Sequence, residues 1–166
     1  MREACLACDL SSGVQPLPGG TILRTTHWTV EHCIGPLGVG TLIVKPLRHT
    51  TRFADLTPEE AAEFGPLLLA VTNALGDELG PDQTYICQWS HAGWTPGHIH
   101  FVVQPAWNRD SDRFEHPGPF TQVEMFCAAV PLDEAKVDAF CERMRLRLSP
   151  LAEAFQRRIG RANADA

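Results

Sequence analysis

The sequence lacks three features at once, and each absence removes a class of function. No stretch approaches the roughly 18 uninterrupted apolar residues that a membrane-spanning helix needs, so no span and no membrane partner are expected. The first residues, Met1-Arg2-Glu3-Ala4-Cys5, carry no apolar signal-peptide core, which makes a cytoplasmic location with reduced cysteines the expectation. Net positive charge is missing too. The formal charge of -6 argues against a nucleic-acid polymer as partner, because such polymers are bound by displacing counterions with a cationic surface. Small phosphorylated ligands stay open, since one local pocket can hold them. Repeats and low-complexity tracts are also absent, so a single domain is the simplest organisation.

What is present is the composition of an ordinary globular chain, 166 residues long with 44% hydrophobic and 20% charged residues. That length supports one real core without help from disulfides or metal. After a Cys-x-x-Cys turn and a Pro/Gly-rich loop to about Gly20, strands are expected at Thr25–Ile34 and Gly40–Lys45. Thr57-Pro58-Glu59-Glu60 combines an N-cap hydroxyl, proline at the first helical position and glutamate three residues after the cap. Phe64, Leu67, Leu68, Val71, Leu75 and Leu79 then repeat with helical period, up to Gly80-Pro81. Further strands are expected at Thr84–Trp89 and His98–Gln104, and one more within Phe120–Val130. A second helix is expected from Asp133 towards Arg158, broken near Pro150, with a disordered tail over 160–166. The fold class expected is α+β, in one domain over 1–159.

Cys5-Leu6-Ala7-Cys8 has the spacing of a metal knuckle, two thiolates offered to one tetrahedral ion. A redox pair fits less well, because no preceding strand sets the two cysteines at a helix start. A thiolate-rich set favours zinc over iron or nickel. Two more ligands must come from elsewhere, and seven histidines are available. His98 and His100 stand at i and i+2 of an expected strand, on one face and about 6.6–6.8 Å apart. That spacing suits a division of labour better than shared ligation: one histidine on the metal, its neighbour free for another task. Cys33, Cys87, Cys127 and Cys141 are expected to be buried and apolar in behaviour.

Four motifs in order resemble the histidine-triad (HIT) superfamily. They are Cys5-x-x-Cys8, the apolar run Leu42-Ile43-Val44-Lys45-Pro46-Leu47-Arg48-His49, the helix start Leu56-Thr57-Pro58-Glu59-Glu60, and Gly93 through His98-Ile99-His100-Phe101-Val102-Val103. The resemblance covers residues 1 to 107. It implies an antiparallel sheet of about five strands with a main helix and a C-terminal helix. It also implies one structural Zn2+ per chain on Cys5, Cys8, His49 and His98, with His100 as the nucleophile that takes up a nucleotidyl group. The implied substrate is a nucleoside phosphate derivative or dinucleotide, and the implied assembly a homodimer. Substrate contacts would fall to Ile34, Gln88, Gly93, Trp94, Thr95 and Gln104, with Thr95 and His91 as candidates for assisting the chemistry.

The chain also departs from the family pattern. Val102 stands at the third triad position and cannot donate to a phosphate. Trp94 replaces the glutamine before the triad, and Cys33 the aspartate that commonly holds the ribose. Two readings of His91 therefore stand, a replacement acid or a solvated loop residue. Trp94 is likewise a lid or core aromatic, or a base-stacking platform. The rival function is a zinc-containing nucleotide-binding or regulatory protein without turnover. A third reading is a zinc-stapled interaction domain in which the histidines are purely structural.

Overall fold

Neighbouring strands in this chain alternate between an apolar and a mixed face, and the sheet they form is covered on both. The computed structural model describes residues 5–91, 97–108 and 118–164, with side chains described as far as 154. Helix α1 (Leu6–Ser12) is followed by β1 (Thr21–Arg24), β2 (Trp28–His32), β3 (Leu42–Pro46) and α2 (Pro58–Leu79). Then come β4 (Gln83–Gln88), β5 (Phe101–Ala106), α3 (Pro119–Ala128) and α4 (Glu134–Ala164). The five strands lie in the order β1-β2-β3-β5-β4, every pair antiparallel, so the architecture is α+β as expected.

One face carries Val30, Val44 and Phe101 in direct register. These pack with Leu67, Val71 and Leu75 of α2 and with Val137, Phe140 and Met144 of α4 in the main core. The start of α2 follows its sequence signal closely. Thr57 Oγ1 accepts from the Glu60 amide, and Glu60 reaches back to the Thr57 amide, closing a capping box. Gly80 ends the helix at φ 57°, a left-handed conformation that glycine adopts without a Cβ clash.

The opposite face places Glu31, Ile43, Val102 and Cys87 side by side across four strands. Helices α1 and α3 cover this face, as the bonds of Lys45 to Ala7 and of Gln122 to Cys87 record. The candidate site lies here.

Several expectations change. The Cys-x-x-Cys segment is the N-cap and first turn of a helix rather than a free turn. Strand β1 was missed because only two of its four residues are buried. Residues 98–100 precede β5, which begins at Phe101. The expected strand within Phe120–Val130 is instead α3: Pro119 sits in its first turn, and Phe120, Val123 and Phe126 recur every three residues. Helix α4 runs through Pro150 to Ala164, although proline removes one helical hydrogen bond, so residues 160–164 are helical rather than disordered. Among the other cysteines, Cys33 and Cys141 are buried as expected, Cys87 is half-buried and Cys127 is exposed.

Candidate metal centre and histidine cleft

Four potential ligands from three distant parts of the chain meet at one end of the sheet. Cys5 is the N-cap of α1 and Cys8 lies in its first turn, so the helix start itself turns both thiols the same way. His49 follows β3, and His98 precedes β5, the neighbouring strand. The Ile99 amide donates to the Thr50 carbonyl at 2.8 Å, which ties these two histidine-bearing segments together. The ligand atoms of Cys5, Cys8, His49 and His98 all lie within 4.8 Å of one another. Cys8 Sγ is 3.4 Å from Nδ1 of both His49 and His98, and Cys5 Sγ is 3.9 Å from His98 Nδ1.

The chemistry of this donor set fits a tetrahedral ion of the zinc type. Bonds of about 2.0–2.3 Å to nitrogen and sulfur demand ligand separations of about 3.3–3.8 Å, and the contacts of 3.4, 3.4 and 3.9 Å between the thiols and the two histidines lie in or near that range. His98 is oriented for the task. Its Nε2 donates to the Pro46 carbonyl at 3.0 Å, which leaves the Nδ1 lone pair facing the thiols. Burial, followed by the neighbouring His49, lowers the His98 pKa to about 4, so the ring is neutral and able to ligate. The set is closed: four protein ligands leave no coordination position for substrate, as in structural sites.

Beside this cluster, His100 is half-buried and points into the covered face of the sheet. Its Nδ1 donates to the His98 carbonyl at 3.1 Å, since a carbonyl can only accept. In the neutral ring Nε2 then carries the lone pair. His100 lines two adjoining clefts of about 280 and 230 Å3, which also share Cys33, Ile43 and Phe126. The larger is walled by Trp89, Val102, Gln122 and Val123, the smaller by Ile34, Gly35, Glu31, Lys45 and the helix residues Leu6, Ala7 and Leu10.

Lys45 and Glu31 are charged residues in the middle of apolar strands, and both are buried. They sit diagonally across β2 and β3, joined at 2.6 Å. Lys45 also donates to the Ala7 carbonyl at 2.8 Å, and Ser11 donates to Glu31 at 3.0 Å. The ion pair thus bolts α1, with its two cysteines, onto the sheet.

The structure brings together Cys5, Cys8, His49 and His98, with His100 alongside and Ile34 on the cleft wall. Other residues expected at the site lie elsewhere. Gln104 is buried and lines a separate cavity of about 390 Å3, where its Nε2 donates to Met125 Sδ at 3.0 Å and its Oε1 has no partner among the described residues. Gln88 is exposed, lies outside the lining of both His100 clefts, and spends its amide on Ser90. His91 is exposed and is not part of the described cleft walls. Gly93, Trp94 and Thr95 lie outside the described residues. Gln122 and Phe126 were not expected at the site because a strand was expected in place of α3, and Trp89, at the end of an expected strand, carries no local signal of a cleft. The three-residue apolar period of α3 was the available signal. The Glu31–Lys45 pair had a signal as well, two opposite charges within otherwise apolar strands.

No protein-family model matches this chain, and no curated protein matches it significantly. Solved structures do. A hypothetical histidine triad nucleotide-binding protein from Sulfolobus tokodaii aligns over 89% of this chain and 93% of its own, with TM-score 0.68 and 16% identity. A zinc-bound histidine triad family protein from Mycobacterium smegmatis aligns over 91% and 97%, with TM-score 0.64 and 24% identity. A Hit-like protein from Bartonella henselae, described as involved in cell-cycle regulation, aligns over 89% and 99%, with TM-score 0.66 and 13% identity. The fold is that of the histidine-triad superfamily. No helix among the described residues is long and apolar enough to cross a membrane.

Proposed function

We propose that this protein is a HIT-type nucleotide hydrolase or nucleotidyltransferase that acts through His100, with one structural Zn2+ on Cys5, Cys8, His49 and His98. One observation carries the reading. The His98 carbonyl fixes the Nδ1 proton of His100, while the His98 side chain is turned to the metal cluster, so the cluster holds the nucleophile's partner in place. The metal would supply rigidity alone.

The reaction that suits this arrangement is a double displacement. His100 Nε2 donates its lone pair to the α-phosphorus of a nucleoside phosphate derivative, forming a P–N bond. The bond from phosphorus to the leaving group breaks with its electron pair, and the leaving group takes a proton from solvent. Nδ1 keeps its proton throughout, held by the His98 carbonyl. Water or an acceptor phosphate then attacks phosphorus and gives up its proton to solvent. The P–N pair returns to Nε2, which regenerates the neutral imidazole. Neutral imidazole suits both steps near pH 7, as nucleophile and as leaving group.

Incubation with dinucleotides and adenosine phosphoramidates, followed by intact mass spectrometry, tests the reading. The expected result is an adduct of nucleotidyl mass that is absent from His100→Ala. No product and no His100-dependent adduct across the panel would sink it. The second reading, nucleotide binding without turnover, draws on Val102 and Cys33, which give the His100 cleft an apolar wall. It predicts nucleotide-induced thermal stabilisation that His100→Ala leaves unchanged. The homodimer implied by the family resemblance belongs to this proposal, and light scattering on the purified chain tests it.

A further inference from the structure

Transfer to an imidazole loads negative charge onto the non-bridging oxygens of the phosphoryl group, and a site that speeds it needs a fixed N–H donor aimed at those oxygens. The described walls of the larger cleft are poor in such donors. Val102, Val123, Phe126 and Leu37 offer none. Three side chains there carry N–H groups: His100, Trp89 and Gln122. The Nδ1 proton of His100 is held by the His98 carbonyl, and the indole N–H of Trp89 donates to Gln122 Oε1 at 2.6 Å. The amide of Gln122 remains.

We infer that Gln122 is a catalytic residue of the His100 site, its Nε2 amino group donating a hydrogen bond to a non-bridging phosphoryl oxygen. This rests on the reading that His100 takes up a nucleotidyl group. The orientation of the amide is determined. An indole N–H can only donate, so the Gln122 atom facing Trp89 is the oxygen, and the amino group turns the other way. There it lies 3.7 Å from Cys87 Sγ. Cys87 is the register partner of Val102, two residues beyond His100 on the same face. The amino group therefore lies beside the residue that pairs with Val102, and Gln122, Val102 and His100 line one cleft. The amino group carries two N–H bonds, and a cysteine sulfur is a weak acceptor for one of them. The second is available to a ligand. Gln122 is only 4% exposed, so a hydrogen bond made there is little weakened by water.

A purely architectural role for Gln122, fastening α3 to the end of β4 through Trp89, makes a different prediction, and one substitution separates the two. Gln122→Glu keeps an oxygen for the Trp89 indole and removes the N–H donor. Gln122→Leu removes both. The experiment measures the single-turnover rate of adduct formation from adenosine 5′-phosphoramidate on the zinc-loaded protein, with thermal midpoint and zinc content as controls. Both variants are expected to lose about 100-fold in maximal rate, the usual cost of one such donor. The half-saturating concentration should stay near that of the parent, because the bond strengthens in the transition state. Val102→Gln placed in the Gln122→Leu background brings an amide back to the same cleft wall and is expected to restore much of the rate. If Gln122→Glu and Gln122→Leu both react within about threefold of the parent, the inference falls while the reading of His100 stands. If the parent protein forms no adduct, the reading falls and takes the inference with it.

Discussion

Lys45 Nζ lies 2.6 Å from the Glu31 carboxylate, with both side chains 2% exposed, and the same ammonium donates to the carbonyl of Ala7 between the two cysteines. The pair therefore connects the middle of the sheet to the helix that carries Cys5 and Cys8. The apolar residues of that helix form a small cluster of their own, apart from the main core. Its attachment depends correspondingly on these polar bonds and on the metal ligands.

Removing one member leaves the other charged and buried. Lys45→Met is expected to cost about 3–5 kcal/mol in a denaturant titration. Glu31→Leu combined with Lys45→Met should recover much of that loss. Even so, the double variant should bind zinc about 10-fold more weakly in a chelator competition, the scale of lost supporting contacts around a metal. Unchanged zinc affinity would show that α1 is held without the pair.

Metal analysis of the purified chain should return about one zinc per chain, on a closed four-ligand set. Cys8→Ser is expected to abolish it, because Cys8 Sγ contacts both histidines. The apo protein and Cys8→Ser should share a lowered thermal midpoint, and added zinc should raise only the former. A midpoint indifferent to chelator would contradict a structural metal.

The pH dependence of stability has an identifiable contribution from His32. Its Nδ1 donates to the Cys33 carbonyl at 2.7 Å, and its Nε2 accepts from the Gly40 amide at 3.0 Å, so the folded chain needs the neutral ring. Burial holds its pKa below 6.5, against a smaller opposing pull from the Cys33 carbonyl. Above pH 6.5 the stabilisation is complete. As pH falls below that value the unfolded chain takes up the proton first, so stability declines until the folded-state pKa is reached. His32→Gln should flatten this part of the profile, measured by urea unfolding at stepped pH with the metal state held constant. An unchanged slope would assign the dependence to other groups.

Glu60 joins the capping box of α2 to Arg48, the residue before His49, with Arg48 Nε and Nη2 at 2.9 and 2.7 Å from its two oxygens. The hydrogen bond from Arg48 holds its carboxyl below the usual range, more than burial raises it. Thr57→Ala should cost about 0.5–2 kcal/mol by removing the cap. Glu60→Gln should add the loss of a charge-assisted fork. Its stabilisation is present above the ordinary carboxylate pKa of 4.5 and disappears as pH falls through the lower folded value, so parent and Glu60→Gln should converge in acid. Curves that stay parallel down to low pH would remove Glu60 from the account.

Local chemistry explains which features were legible in advance. The α2 boundaries, the strands around Val44 and Ile86, and the Cys5-x-x-Cys8 pair each rest on residues close together in sequence, whereas His49 and His98 joined that pair only through the family resemblance. The start of β5 was misplaced because His98 and His100 alternate like strand residues, while their backbone bonds to the Thr50 segment rather than to a ladder. Helix α3 departs from the expected strand because aromatic and β-branched residues favour strands in isolation, whereas Phe120, Val123 and Phe126 recur at helical spacing and stay exposed while Thr121 and Gln122 are buried.

The sequence by itself determined the fold class, the Cys-x-x-Cys spacing and the one-face spacing of His98 and His100, because local spacing and residue type carry these, while the choice of His49 and His98 among seven histidines came from the family resemblance. Tertiary structure decided what surrounds His100. Gln122 and Phe126 reach the cleft from a helix more than twenty residues downstream, and Glu31 and Lys45 meet only when β2 and β3 pair. Gln104, on the strand that follows His100, is carried to another cavity. Those outcomes depend on which elements cover which face of the sheet, a matter of long-range packing that no local pattern records.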